Sequence, residues 1–299
     1  MSLLPFDDRD GVIWFDGALV PWRDAKIHVL SHGLHYGSCV FEGERAYGGA
    51  VFKLTEHSKR LVTSAQLLGF DLPYTVEELD RATEAVIAGN GIVDGYVRPV
   101  AWRGSEMMGV SARNSKIHTA IATWQWPAYF SPEARMRGIR MCVSKWARPA
   151  PNTAPTASKA AGLYMICTLS KHAAENDGYD DALMLDWQGL IAEATGANVF
   201  LVIDGEVHTP KPDAFLDGIT RRTVIDLARA HGLTVVERSI PPDDLARVSE
   251  VFITGTAAEV TPVREIGPHH YQPGRISRLM MDAYDALVRQ KPQVNGRAA

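Results

Sequence analysis

The sequence predicts two α/β domains built on mixed sheets, and three observations predict it. At 299 residues the chain can form one large domain or two ordinary ones, and its 46 % apolar content supplies ample core. Strand-like and helix-like segments alternate along it, and the second half is the richer in strands. A loop marked by Pro127, Ser131, Pro132 and Gly138 interrupts that succession. The expected division is a smaller N-terminal domain over residues 1–126, an interdomain loop over 127–138 and a larger domain over 139–299. The cleft between the two domains is the default position for a site.

Taken in order, residues 12–20 read as a hairpin, two apolar strands around the Asp16-Gly17 turn. Residues 54–68 show helical spacing through Leu54, Leu61, Ala65 and Leu68, and Gly69 stops them. Thr75-Val76-Glu77-Glu78 is a capping box that opens a helix ending at Gly89-Asn90-Gly91. Runs 95–103 and 116–126 read as strands. Beyond the loop, 139–146, 182–186, 198–203 and 250–254 are short and apolar, and Asp204-Gly205 marks a second hairpin turn. Helices are expected from Ser158 to about Asn176, from Thr220 to His231, and near the C-terminus. There Ile276, Leu279, Met280, Ala283 and Leu287 form one face. Residues 291–299 read as a frayed end. The chain carries no repeat and no low-complexity tract.

Composition narrows the function classes. The formal net charge is −4, which argues against a broad basic surface for nucleic acid. The first ten residues are acidic and broken by Pro5, unlike a signal peptide, and no apolar run approaches membrane-spanning length. Cys39, Cys142 and Cys167 are odd in number and form no CxxC, which fits a reducing cytoplasm rather than a disulfide framework.

The most informative stretch is 154–164, Ala-Pro-Thr-Ala-Ser-Lys-Ala-Ala-Gly-Leu-Tyr. Ser158 is a good N-cap, which places Lys159 in the first turn of the expected helix among small residues. An amine in poorly solvating surroundings at a helix N-terminus is pushed towards its neutral form, able to make a Schiff base. The competing reading is a snorkelling surface lysine. Three segments suit an anion: the Asp217-Gly218-Ile219-Thr220 turn leading into a helix, the Thr254-Gly255-Thr256-Ala257-Ala258 turn after a strand, and Arg60 beside an apolar stripe. Taken alone, each is more commonly an ordinary cap, turn or solvated side chain. Glu193 lies in an apolar strand-like run, where its carboxylate needs a cationic partner, either a protonated pyridine nitrogen or a structural salt bridge. Gly89, Gly91 and Gly95 have the wrong spacing for a dinucleotide fingerprint, and no Walker A pattern exists. His28, His32, His35 and His57 could suggest a metal, but without HExxH they read as packing histidines, and no metal is expected.

Together these residues resemble the class IV aminotransferases, the fold-type IV pyridoxal-phosphate enzymes, and among them the bacterial branched-chain amino acid aminotransferases. The similarity runs from about residue 12 to about residue 262. It includes residues 28–37 (His-Val-Leu-Ser-His-Gly-Leu-His-Tyr-Gly), Val40-Phe41-Glu42-Gly43, Glu56-His57 with Arg60-Leu61, Tyr96-Val97-Arg98-Pro99 and Ala150-Pro151-Asn152-Thr153. It continues through Lys159, Tyr164, Glu193, Gly218-Ile219-Thr220-Arg221 and Gly255-Thr256-Ala257-Ala258-Glu259. The resemblance implies a small α/β domain, a larger domain with a mixed sheet or barrel that binds pyridoxal 5'-phosphate, and an active site in the cleft between them. Lys159 is then the Schiff-base lysine and proton carrier, Tyr164 the partner of the cofactor's phenolic oxygen, and Glu193 the partner of its ring nitrogen. Arg60, Ile219, Thr220 and Thr256 would bind phosphate. Tyr96, with the backbone of Thr256 and Ala257, would take the α-carboxylate. Arg98, near Tyr36, would meet a distal carboxylate, and Phe41, Tyr36, Trp126, Tyr129 and Val110 would form the apolar pocket.

Two positions depart from the family pattern. Glu44 stands where an aliphatic residue is expected, with a consequence for pocket polarity, and Ala197 replaces an acidic residue. The expected activity is ping-pong transfer of the amino group of leucine, isoleucine or valine to 2-oxoglutarate. A D-amino acid or amine aminotransferase and an aminodeoxychorismate lyase share the fold and are the alternatives, and a catalytically silent binding protein would leave Lys159 and Glu193 unexplained. The resemblance also implies at least a homodimer, in which residues of one subunit's small domain lie near the neighbour's active site.

Overall fold

The structure is a computed structural model and describes residues 5–126 and 135–290. Strands β1 (Val12–Phe15), β2 (Ala18–Pro21), β3 (Cys39–Phe41), β4 (Glu44–Tyr47), β5 (Ala50–Val51), β6 (Gly95–Arg103) and β7 (Ile117–Gln125) form one sheet. Its order is β2-β1-β7-β6-β4-β5, with β3 also paired to β6. Asp16 and Gly17 close the first hairpin with φ of 46° and 100°, the positive angles that a two-residue turn matching strand twist requires. β6 and β7 pair over nine residues.

Ahead of β3 lies a five-residue helix, α1 (His32–Tyr36). Helices α2 (Leu54–Leu67) and α3 (Val76–Gly89) cover one face of the sheet. The expected capping box at Thr75 is present with both of its hydrogen bonds. Leu61, Ala65, Leu79, Ala82 and Val86 from these helices pack on Val40, Ala46, Val97 and Ala101. Because side chains alternate along strands, this arrangement turns Phe41, Arg45, Tyr96 and Arg98 to the opposite face.

The remaining strands form a second sheet: β8 (Ile139–Val143), β9 (Asp181–Leu185), β10 (Ile191–Ala194), β11 (Asn198–Ile203), β12 (Glu206–Pro210), β13 (Val235–Arg238), β14 (Glu250–Gly255), β15 (Glu259–Ile266) and β16 (His269–His270). β8, β9, β10, β11, β14 and β15 close into a ring, because β10 pairs with β11 and β15 pairs with β8. β12 and β13 extend it from β11. The sheet is mixed: β8 runs parallel to β9 and β15, whereas β14 runs antiparallel to both β11 and β15. Met141, Leu183, Val199, Leu201, Val251 and Val263 fill its interior. Phe200, Val202 and Phe252 face outwards onto α5 (Ile219–Ala230) and α6 (Arg275–Val288). β11 is therefore buried along its whole length, with both faces covered.

Two expectations change here. The helix expected from Ser158 starts only at Met165, as α4 (Met165–Asn176), after a 3₁₀ turn over Ala161–Tyr164. Lys159 thus lies outside the helix, next to the extended Ala160. Ala160 bridges Val40, and the Ser158 hydroxyl goes to the carbonyl of Ser64 instead of capping a helix, so pairing with a distant segment overrides the local cap signal. The strand expected over 139–146 ends at Val143. The expectations for 127–134, including Tyr129, and for the last nine residues lie outside the described residues.

Candidate active site

Lys159 lies where the two sheets meet. Its carbonyl accepts the amide of Phe41 at 3.1 Å, and its own amide donates to Ser64 Oγ at 3.0 Å. Nζ donates to the hydroxyl of Tyr164 at 2.8 Å and lies 4.9 Å from the centre of the Phe41 ring. The Phe41 and Tyr164 rings meet edge to face, 4.8 Å apart. Two aromatic walls and one phenol therefore hold the amine in a confined position.

From Lys159 a cleft runs to the N-terminus of α5 and to the β14–β15 turn, lined there by Gly218, Ile219, Thr220, Gly255 and Thr256. Gly218 caps α5 without a side-chain hydrogen bond, so the first-turn amides stay available to an anion. Any Cβ on Gly218 would lie 2.2 Å from Asn198 Oδ1, which explains the glycine. Arg221 and Arg222 both donate to Asp217 and brace the turn. Thr254 Oγ1 is buried without a partner among the described residues. The uncapped helix end and this orphaned hydroxyl, both lining one cleft, fit the phosphate of the cofactor that the resemblance implies. Ala257 is exposed at the tip of the turn, next to Thr256. Ala197 lies against Gly255, whose Cβ would be 3.4 Å from that of Ala197, so a small residue serves the close approach.

Arg60 reaches the same cleft from α2, but it is not a free cation. Its Nε and Nη2 donate to the two oxygens of Glu42 at 2.7 and 2.8 Å. His57 Nδ1 lies 2.7 Å from Glu42 as well. Burial alone would raise the Glu42 pKa, yet the charge and hydrogen bonds of Arg60, with His57, outweigh it and hold Glu42 well below the usual carboxylate range. Burial depresses the His57 pKa, so a neutral imidazole donating to Glu42 completes the cluster. Composition and spacing give His57 only a packing role and Glu42 none; the available signal for Glu42 is a carboxylate inside an otherwise apolar segment.

Glu193 lines the cleft from β10. Burial pushes its carboxyl up to about 7, against the charges of Arg148 and Lys159. Arg148 Nε lies 3.3 Å from Oε1, and Asn198 Nδ2 donates to Oε2 at 3.4 Å. The structural salt bridge weighed for Glu193 therefore exists, and its partner Arg148 was not singled out in the sequence. Arg148 is buried and also donates to the Leu163 carbonyl and to Cys167 Sγ.

On the open face of the first sheet stand Phe41, Tyr96, Arg98 and Trp126. Arg98 Nη2 donates to the Tyr96 hydroxyl at 3.3 Å, and its guanidinium lies 4.9 Å from the Phe41 ring centre. Trp126 packs 5.4 Å from Tyr96. Gly43 makes room for this arrangement, since a Cβ there would come within 2.0 Å of the Tyr96 hydroxyl.

Tyr36 and Val110 are not brought to this cleft. Both line a separate one beside His32, Ser38 and Arg103. Tyr36 stacks on His32 at 4.5 Å and is 45 % exposed, and Val110 is 87 % exposed. The expected proximity of Tyr36 to Arg98 is corrected accordingly. The reason is the length of β6: Tyr96 and Arg98 sit near its start, whereas the segment carrying Val110 follows its far end, roughly 15–20 Å away at the strand rise. His32 fastens that segment, its Nε2 donating to the Gly109 carbonyl at 2.9 Å while Nδ1 contacts Ser38 Oγ at 2.6 Å. His35 Nε2 meets the Val29 carbonyl, and His28 Nδ1 accepts the Leu30 amide. Glu44 also lies away from the cleft. It shares the face of Ala46 and Val97 towards α2 and α3, so it does not set pocket polarity.

Among the described residues no group of three His, Cys, Asp or Glu side chains could hold a metal ion, and no helix is long and apolar enough to cross a membrane. The profile of the family Amino-transferase class IV matches residues 39–266. The branched-chain-amino-acid aminotransferase of Pseudomonas aeruginosa is 43 % identical over 295 residues, 96 % of this chain and 96 % of that protein. The crystal structure of the branched-chain amino acid aminotransferase of Escherichia coli superposes with a TM-score of 0.90. It is 38 % identical and covers 96 % of this chain and 98 % of its own. The crystal structure of the branched-chain amino acid aminotransferase from Thermobaculum terrenum, in its PLP-bound holo form, gives a TM-score of 0.85 at 31 % identity. It covers 93 % of this chain and 94 % of its own. By the extent of the family match and by the cleft that Lys159, Glu193 and the Gly218 and Gly255 turns share, the chain belongs to the class IV aminotransferases.

Proposed function

We propose that the protein moves the amino group of leucine, isoleucine or valine to 2-oxoglutarate, using pyridoxal 5'-phosphate held through Lys159. The observation that carries the reading is the convergence on one cleft of the Lys159 amine, the buried Glu193 carboxylate and the uncapped end of α5. The bound cofactor supplies an electron sink. The chain's own residues do the rest. Lys159 Nζ, held by Tyr164, takes and returns the α-proton of the amino acid. Glu193, braced by Arg148 and Asn198, supplies the negative charge that keeps a ring nitrogen protonated. The first-turn amides of Ile219 and Thr220, the Thr256 turn and Arg60, held in place by Glu42, receive the phosphate. Tyr96 and the backbone of Thr256 and Ala257 receive the α-carboxylate, while Phe41 and Trp126 exclude water from the aliphatic side chain. Arg98 takes the second carboxylate of glutamate.

The names of the relatives and the Tyr96–Arg98 pair support this reading over a D-amino acid or amine aminotransferase and over an aminodeoxychorismate lyase. The two separate sheets support a small domain over 1–126, a loop over 127–138 and a large domain over 139–299. The exposed Tyr36 and Val110 support a homodimer in which each subunit completes its partner's pocket. Three free thiols suit the cytoplasm. The test is a donor panel with 2-oxoglutarate as acceptor. Leucine, isoleucine and valine should rank first, and borohydride reduction should label Lys159. A preference for D-amino acids or amines, pyruvate release from aminodeoxychorismate, or a label on another lysine would overturn the reading.

A further inference from the structure

Both peptide groups of Lys159 are held by the unit that lies N-terminal to it in sequence. Its carbonyl accepts from Phe41, at the end of β3, and its amide donates to the side chain of Ser64 on α2, 95 residues away. Ser158 adds a third tie, its hydroxyl donating to the main-chain carbonyl of Ser64 at 2.9 Å. Ser64 is fully buried. It follows Arg60 by four residues on α2, so the two side chains lie one above the other on the same helical face. Leu61 and Ala65 anchor this stretch of α2 to Val40 and Ala101 in the sheet beneath. One face of one helix thus presents a guanidinium to the cleft and a hydroxyl to the lysine backbone, with a spacing of about 6 Å along the axis set by the helical rise.

From this geometry we propose that Ser64 is a positioning residue for Lys159, fixing the lysine backbone at a set distance from the phosphate end of the cleft. A long lysine side chain has many rotamers, and a fixed Cα limits the positions its amine can reach. Ser64 touches neither the substrate nor the cofactor; it acts through Lys159. The inference rests on the reading of Lys159 as the cofactor-linked lysine.

Ser64→Ala removes the acceptor of the Lys159 amide and keeps the carbonyl that holds Ser158. In the holoenzyme it should lower kcat about tenfold, leave KM for leucine within about twofold, and move the pH midpoint of the bound cofactor's absorbance. Ser64→Thr, which restores the hydroxyl, should recover most of each. A lowered thermal midpoint with kcat and the optical midpoint unchanged would reduce Ser64 to a packing role and overturn the proposal. Hydrogen exchange on the unmodified protein provides a check that needs no variant: the Lys159 amide should be protected, and free exchange there would also overturn it. Borohydride labelling separates the two layers. A label on Lys159 with normal behaviour in Ser64→Ala refutes the positioning role alone, whereas a label on another lysine refutes the reading beneath it.

Discussion

In the proposed reaction Arg98 would serve two substrates whose needs conflict. A branched aliphatic side chain needs the walls of Phe41 and Trp126 with water excluded, whereas the second carboxylate of glutamate needs a cation once it is desolvated. The guanidinium lies against aromatic faces, 4.9 Å from Phe41 and 5.3 Å from Tyr96, with Nη2 on the Tyr96 hydroxyl, an arrangement suited to both. Its Nε is buried and has no partner among the described residues, a donor in reserve for a carboxylate. Arg98→Leu should therefore weaken glutamate and 2-oxoglutarate by about 2–4 kcal/mol while changing leucine little. Single-turnover measurement of each half-reaction reads the two effects separately. Equal losses for both substrates would mean that Arg98 holds the shared α-carboxylate or the pocket's shape. Glu193 shows a related economy. Arg148 and Asn198 occupy its oxygens from within the protein, so the carboxylate is already oriented before any ring nitrogen meets it.

Between β4 and the helices α2 and α3 lies the main local conflict in the fold. Glu44 is fully buried, and both of its oxygens lack partners among the described residues. The charged groups around it are Glu42 at the β3–β4 junction, Asp80 on α3 and Arg60 on α2. Burial first, then Glu42 and Asp80, raise its pKa well above the ordinary value, with Arg60 opposing. A carboxyl raised in this way keeps its proton in the folded chain where the unfolded chain, ionising near pH 4.3, has lost it. Its contribution to stability therefore falls as pH rises above about 4.3, until the raised folded value is passed. Glu44→Ile, of similar volume and apolar, should stabilise the protein by roughly 1–3 kcal/mol at pH 8 and by less at pH 5. Urea melts at the two pH values test this, and parallel pH dependence in parent and variant would sink it. The same region shows what the sequence did and did not make legible. The hairpins, α2, α3, β6 and β7 were readable because their signals are local: a turn needing positive φ, a capping box, a periodic stripe. β3, β4 and β5 are not legible because they are two to four residues long, and Glu42 between β3 and β4, with Glu44 and Arg45 in β4, are polar residues whose burial depends on distant elements. Ser158 misled for the same reason. Its capping signal is local, but its partner lies 94 residues away on α2. Of the candidate site, the lysine, the Gly218 and Gly255 turns and Glu193 are legible as residue types in suitable surroundings. Glu42, His57, Arg148 and Ser64 are not, since each acts by bracing another side chain or a backbone group.

At the scale of the whole molecule, the two sheets are joined at the site itself. Glu259, in the left-handed region with φ of 52°, follows the Thr256–Ala258 turn and accepts from Tyr47 at 2.8 Å and from Arg135 at 2.9 Å. The Thr256–Ala258 turn is thus tied to β4, just as Lys159 is tied to β3 and α2. Neither tie accounts for Tyr36 and Val110, which sit in their own cleft, exposed, at the far end of β6. Ile27, Val29, Leu30 and Leu34 are exposed beside Tyr36 in the chain, and an apolar surface of this kind marks an interface. A homodimer accounts for both facts if Tyr36 acts on the partner's pocket. Light scattering should then show a dimer at working concentration, and subunit mixing can test the action in trans. Lys159→Ala abolishes the amine, and Tyr36→Ala damages the pocket. If Tyr36 acts within its own chain, a dimer of one subunit of each kind still has two defective sites. If it acts across the interface, that mixed dimer carries one site with Lys159 from one chain and Tyr36 from the other, fully intact. Equal amounts re-associated at random should recover about a quarter of the parent's activity, because half the dimers are mixed and each has one good site. Recovery no greater than the average of the two variants measured alone would place Tyr36 in its own subunit's chemistry or outside the reaction altogether.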